Sequence, residues 1–118
     1  ALGFARVTEL TPAEHDEIIG FVSQLTHCIA VALMTCNDDE HLEDYTGDSF
    51  RDLTRIARIN DGMWSELFLL NREALLSQID AFTAQLARLR ATIAEGRRDE
   101  MRALMRRSAE RRAKFDKK

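Results

Sequence analysis

Apolar residues return at every third or fourth position through most of this chain, with charged residues filling the turns between them. That period marks amphipathic helices, and nothing beyond residue 10 reads as a strand. The stretch "TPAE" announces the first helix: Thr11 fits an N-cap, Pro12 the first helical position, and Glu14 the carboxylate that closes a capping box. From there to about Cys36, Ile18, Val22, Leu25, Ile29 and Leu33 form one stripe, and Phe21, Cys28 and Val31 widen it. A helix apolar on several faces belongs at the centre of a structure.

Gly47, Asp48 and Ser49 read as a turn and cap leading into a short helix over 50–58. Phe50, Leu53, Ile56 and Ala57 would face the core there, and Arg51, Arg55 and Arg58 would share another face. Asp61 caps the next helix, "GMWSELFLL", which Asn71 and Arg72 separate from a longer one over about 72–95. In that helix Leu75, Ile79, Phe82, Leu86, Leu89 and Ile93 are spaced alternately by four and three, a heptad seam suited to packing against another long helix. Gly96 ends it. The pattern predicts an all-α domain over residues 11–118. Residues 1–10, "ALGFARVTEL", read instead as a short strand without a partner, the expected remnant of a preceding sheet-containing domain.

Composition narrows the function classes. The 118 residues are 45% apolar and 31% charged, with one proline and five glycines, which suits a single domain of long helices. A net charge of −3 argues against a molecule built to coat nucleic acid. The segment 97–118 does carry ten lysines and arginines against four acids. Without aromatic stacking residues or a base-reading motif it reads as a solvated face, so no nucleic-acid partner is expected. No window approaches the roughly 20 apolar residues of a membrane span, and no signal peptide is visible, which predicts a soluble, cytoplasmic chain with no membrane partner. Cys28 and Cys36 lie eight positions apart on one helix, about 12 Å by rise, beyond the reach of a disulfide. "NDDEHLEDYTG" is an acidic connector.

The candidate chemistry gathers around arginine, tryptophan and a polar pair. Ser23 and His27 stand one turn apart on the first helix, which favours both pointing into one cavity. Arg55 on a short capped helix, with Trp64 nine residues on, would complete an anion pocket. A guanidinium offers a planar fork matched to carboxylates, and each such hydrogen bond contributes about 1.5–3 kcal/mol. A metal site built on His15, Asp16, His27 and His41 is excluded, because His15 and His27 are about 18 Å apart by helical rise. No metal is expected.

The blocks "HDEIIGFVSQLTHCIAVAL" and "GDSFRDLTRIARINDGMWSELFLLN" resemble the C-terminal helical domain of the prephenate dehydrogenase family. The resemblance rests on His15-Asp16, Ser23 and His27, Gly47 through Phe50-Arg51-Asp52, Thr54-Arg55-Ile56-Ala57, Trp64 and Asn71, in the family's order. It implies a multi-helix dimerisation domain of the prephenate dehydrogenase / 6-phosphogluconate dehydrogenase C-terminal-like type. The family's enzymes serve tyrosine biosynthesis, oxidatively decarboxylating prephenate to 4-hydroxyphenylpyruvate with NAD or NADP, which an N-terminal Rossmann domain binds. No glycine-rich dinucleotide loop occurs here. The chain therefore resembles the helical half alone, expected to be inactive without its partner domain and to carry no catalytic residue. By position, Arg55 would clamp a carboxylate of prephenate (or arogenate). Ser23 and His27 would line the substrate pocket, Trp64 would shape and dry it, and Asp52 and Gly47 would support it near the boundary of a homodimer. The family often reads Ser-His-Leu-Pro-His where this chain has Ser23-Gln24-Leu25-Thr26-His27. A competing reading is a free-standing helical interaction module with a basic C-terminal helix.

Overall fold

In the computed structural model, which describes residues 9–116, the capping box forms as expected. The Thr11 hydroxyl accepts the Glu14 N–H at 3.1 Å, and Glu14 Oε1 accepts the Thr11 N–H at 2.9 Å. Helix α1 (Pro12–Ile19) then passes through a wider π-helical turn, Gly20–Leu25, into α2 (Thr26–Thr35). These pieces form one continuous rod of 24 residues. By length and composition it is apolar enough to cross a membrane, contrary to the expectation from the sequence. The polar residues at its middle, Ser23, Gln24 and His27, are instead half-buried or buried within the fold. The expected strand over residues 1–10, "ALGFARVTEL", falls outside the described residues apart from Glu9 and Leu10, which are irregular.

A connector with a single 3-10 turn, Leu42–Asp44, leads to α3 (Asp48–Thr54) and a 3-10 turn, Arg55–Ala57. Both α3 and that turn pack on α2. Helix α4 (Asp61–Leu70) follows, then α5 (Arg72–Ala94) and α6 (Arg98–Ala113), with a last 3-10 turn at Lys114–Asp116. Among the described residues there is no strand, as an all-α domain requires.

Three local expectations need correction. The N-cap of α4 is Asn60, whose side chain accepts the Met63 N–H at 3.1 Å; Asp61 is already the first helical residue. The short helix ends at Thr54, so Arg51, Arg55 and Arg58 do not share one helical face: Arg55 opens the tighter turn and Arg58 is extended. Leu53, assigned to the core, is 64% exposed.

The chain divides into two compact units, one up to Ile79 and one from Asp80. In the first, Leu25, Ala30 and Leu75 are the buried apolar side chains. The rod passes the start of α5 at Gly20, where a Cβ would make ordinary contacts, 3.5 Å from Gln78 Cγ and 3.6 Å from the Ala74 backbone. The rod is less enclosed than its composition led us to expect, because Phe21, Val22 and Met34 stay exposed.

In the second unit α5 ends in a Schellman turn. Gly96 adopts φ +66, its N–H donates to the Ile93 carbonyl, and the Arg97 N–H reaches the Thr92 carbonyl at 2.8 Å. Arg97 braces the corner through Glu100, at 2.7 Å, and Glu95. An open groove of about 360 Å³ runs between the two helices, lined by Phe82, Gln85, Leu86, Leu89, Leu104, Met105 and Ser108. The heptad seam is thus only partly covered: Leu86 is 54% and Ile93 61% exposed. The arginines of α6 at 98, 102, 106, 107, 111 and 112 are exposed, as a solvated cationic face would be.

Candidate functional site

The π-helical turn determines how the first helix presents its polar residues. A turn of this kind shifts backbone hydrogen bonds one residue further on and releases carbonyls that an α-helix would use. The Ser23 carbonyl takes the Thr26 backbone N–H and has side-chain donors as well. It accepts the Thr26 hydroxyl at 2.7 Å and His27 Nδ1 at 2.7 Å. Because a carbonyl only accepts, the Nδ1 position carries the proton, and Nε2 is the ring nitrogen left for another partner.

His27 lies flat against Trp64, with ring centroids 3.8 Å apart and planes 21° from parallel. Phe68, one turn further along α4, tilts against the indole with ring centroids 5.8 Å apart. The result is a half-buried imidazole, fixed in orientation by one hydrogen bond and shielded on one face by an aromatic plane. His27 and Trp64, which the sequence placed on two separate helices, therefore meet, and Ser23 reaches His27 through its backbone carbonyl.

The cationic part of the site is arranged differently. Arg55 begins the 3-10 turn that packs on α2, and its side chain is exposed. Asp52 is exposed on α3. Gly47 is the residue before that helix and accepts the Arg51 N–H at 3.3 Å. It has ordinary extended backbone angles and free space around its Cα, so packing within this chain does not demand glycine there. Arg51 turns away and donates to the Glu43 carbonyl at 3.1 Å, which ties the acidic connector to α3. His41, Glu43 and Asp44 bring ligand atoms within 4.8 Å of one another on that connector. All three are exposed, an arrangement common among acidic groups without an ion.

Two residues given little weight in the sequence are central to the packing beneath the site. Gln24 is 5% exposed, donates to the Leu67 carbonyl at 3.4 Å and accepts from Asn71 Nδ2 at 2.8 Å. Asn71 Nδ2 also donates to the Asp16 carbonyl at 3.1 Å. The readable signal was a glutamine midway along a largely apolar helix, since a buried amide is retained only where its hydrogen bonds are met. Cys28 is half-buried on the same helix, and burial pushes its thiol above the usual range, so it is no ready nucleophile.

Among the described residues the chain is an all-helical domain with a partly exposed apolar seam on α5 and a polar–aromatic cluster of His27, Trp64 and Phe68. The particular family follows from comparison. The pattern of the family described as prephenate dehydrogenase, dimerization domain, matches residues 11–107, and the chain belongs to that family. It is 33% identical over 95 residues to cyclohexadienyl dehydrogenase of Zymomonas mobilis, covering 75% of this chain and 32% of that protein. It is 37% identical over 87 residues to prephenate dehydrogenase of Lactococcus lactis, covering 70% and 25%. Against prephenate dehydrogenase of Bacillus subtilis it is 27% identical over 96 residues, covering 75% and 25%. The chain thus spans a quarter to a third of the length of these relatives. Among solved structures, A. aeolicus prephenate dehydrogenase in complex with hydroxyphenyl propionate and NAD+ superposes with a TM-score of 0.82 at 30% identity, over 93% of this chain and 40% of that one. Synechocystis arogenate dehydrogenase gives 0.83 at 22% identity, over 93% and 42%, a likeness of fold.

Proposed function

We propose that this chain is the substrate-gripping and dimer-forming part of a cytoplasmic prephenate dehydrogenase of tyrosine biosynthesis. The observation that carries the reading is the His27 ring, held by the Ser23 carbonyl and stacked on Trp64. Within that reading Arg55 grips a carboxylate of prephenate (or arogenate), because a guanidinium on a short rigid turn orients an anion better than a mobile lysine. His27 Nε2 and the Ser23 hydroxyl meet the polar edge of the substrate, and Trp64 keeps water off it. Asp52 and Gly47 support the turn near the dimer boundary.

The ring of prephenate becomes aromatic as carbon dioxide leaves, so alignment rather than nucleophilic power is what the protein must supply. Among the described residues there is no strand, and the sequence has no Gly-x-Gly-x-x-Gly turn to cradle a pyrophosphate. This chain therefore does not fit NAD or NADP, and its residues contribute binding and orientation. The exposed seam of α5 and the α5–α6 groove serve a homodimer.

The test is activity. Joined to a nicotinamide-binding domain of the family, the chain should support NAD- or NADP-dependent loss of prephenate, and alone it should support none. A joined protein that folds, binds NAD+ and leaves prephenate untouched refutes the proposal.

A further inference from the structure

We propose that Gln24 and Asn71 form a positioning bridge that sets the register of α4 against the first helical rod and thereby holds Trp64 over His27. The inference rests on the proposed reading of that stack as a substrate surface, and deepens it by naming residues that act on the surface without touching the ligand.

Gln24 faces Leu67, and three residues on along the rod His27 faces Trp64, three residues back along α4. The two contacts are successive rungs of one antiparallel helix pair, each step about 4.5 Å by rise. A slip of α4 by one turn would break both together. Aromatic stacking alone tolerates sliding in its plane, whereas the hydrogen bonds of an amide do not.

The bridge is specific in its chemistry. The Leu67 carbonyl lies in the last turn of α4 and has a second lone pair free beyond its helical bond. It takes the Asn71 backbone N–H at 3.2 Å and the Gln24 side-chain N–H at 3.4 Å. The Asn71 side-chain amide nitrogen spends its two hydrogens on Gln24 Oε1 and the Asp16 carbonyl. Rotating the Gln24 amide by half a turn would set oxygen against the Leu67 carbonyl and nitrogen against the Asn71 nitrogen. Only one orientation therefore satisfies the set. At this depth an amide left unpaired is costly, which gives the bridge its directing force. An apolar side chain of similar size would fill the space yet leave α4 free to slide.

The test is Gln24→Leu in the 118-residue chain, read by NMR of the His27 ring protons, which the Trp64 ring current displaces, with helicity followed by circular dichroism. The expected result is native helicity with that displacement reduced to less than half. Asn71→Ala should act in the same direction. In a full-length enzyme carrying Gln24→Leu, KM for prephenate should rise by roughly three- to tenfold while kcat holds, the mark of lost positioning rather than lost chemistry. A folded Gln24→Leu protein with native ring shifts overturns the proposal, and so does failure of both variants to fold, which would assign the bridge to stability alone. The NMR measurement needs no substrate. Lost ring shifts in a protein inert toward prephenate would therefore refute the proposed function while supporting the bridge.

Discussion

Replacing Leu86 by aspartate probes the exposed seam at its middle. Leu86 is 54% exposed in the single chain and lines the groove with Phe82, Leu89, Leu104 and Met105. Full burial of a leucine is worth about 1.5–3 kcal/mol, so covering the remaining half yields on the order of 1 kcal/mol per copy. A twofold dimer counts that twice, about 2 kcal/mol. At about 1.4 kcal/mol per tenfold, losing it weakens association roughly 30-fold, and desolvating the new carboxylate adds to the loss. Sedimentation equilibrium over a concentration series reads the dissociation constant directly. The native chain should be dimeric at micromolar concentration, and Leu86→Asp should raise Kd by at least about 30-fold. Ala84→Asp, on the outer face of the same seam, should change it little. An unaltered Kd for Leu86→Asp, or a monomeric native chain, would refute the placement of the interface on α5 and α6.

Two further outcomes concern the first helix. Hydrogen bonds from the Thr11 N–H and then its hydroxyl hold the Glu14 carboxyl below its usual value of 4.5. A depressed folded pKa gives stability that is present above the unfolded value and is lost as pH falls through the folded one. Thermal stability of the native chain should therefore fall more steeply below pH 4.5 than that of Glu14→Gln; parallel curves would contradict the capping box. At Gly20 an added methyl meets only ordinary contacts of 3.5 and 3.6 Å, and the backbone is right-handed helical. Gly20→Ala should stabilise the chain by up to about 1 kcal/mol in urea unfolding, whereas a loss of more than that would show the rod and α5 to be closer than they stand here.

Much of the fold was legible because helix boundaries are written in local chemistry. Thr11, Pro12 and Glu14 at one end and Gly96 at another act through their own neighbours, and both terminations occur where the sequence placed them. Asn60 and Asp61 are equally good caps by composition, and only backbone geometry separates them. The π-helical turn has no sequence mark of its own, so the gathering of the Thr26 hydroxyl and His27 Nδ1 on the Ser23 carbonyl was invisible. Pairing across helices was the least readable. Spacing set Ser23 beside His27, but whether Trp64 lay flat on that imidazole depended on where α4 settled, which Gln24 and Asn71 control. The same limit explains Leu53: its position in the periodic pattern looked internal, yet α3 ends one residue later and its flank stays open.

The most direct measurement is steady-state kinetics of a full-length enzyme bearing Arg55→Ala, with Arg55→Lys alongside. Loss of one charge-assisted contact to a carboxylate should raise KM for prephenate by roughly 10- to 100-fold, with lysine recovering part of it. If the folded Arg55→Ala enzyme keeps the native KM, no carboxylate is gripped at position 55, and the binding surface built here on Ser23, His27 and Trp64 loses its anchor.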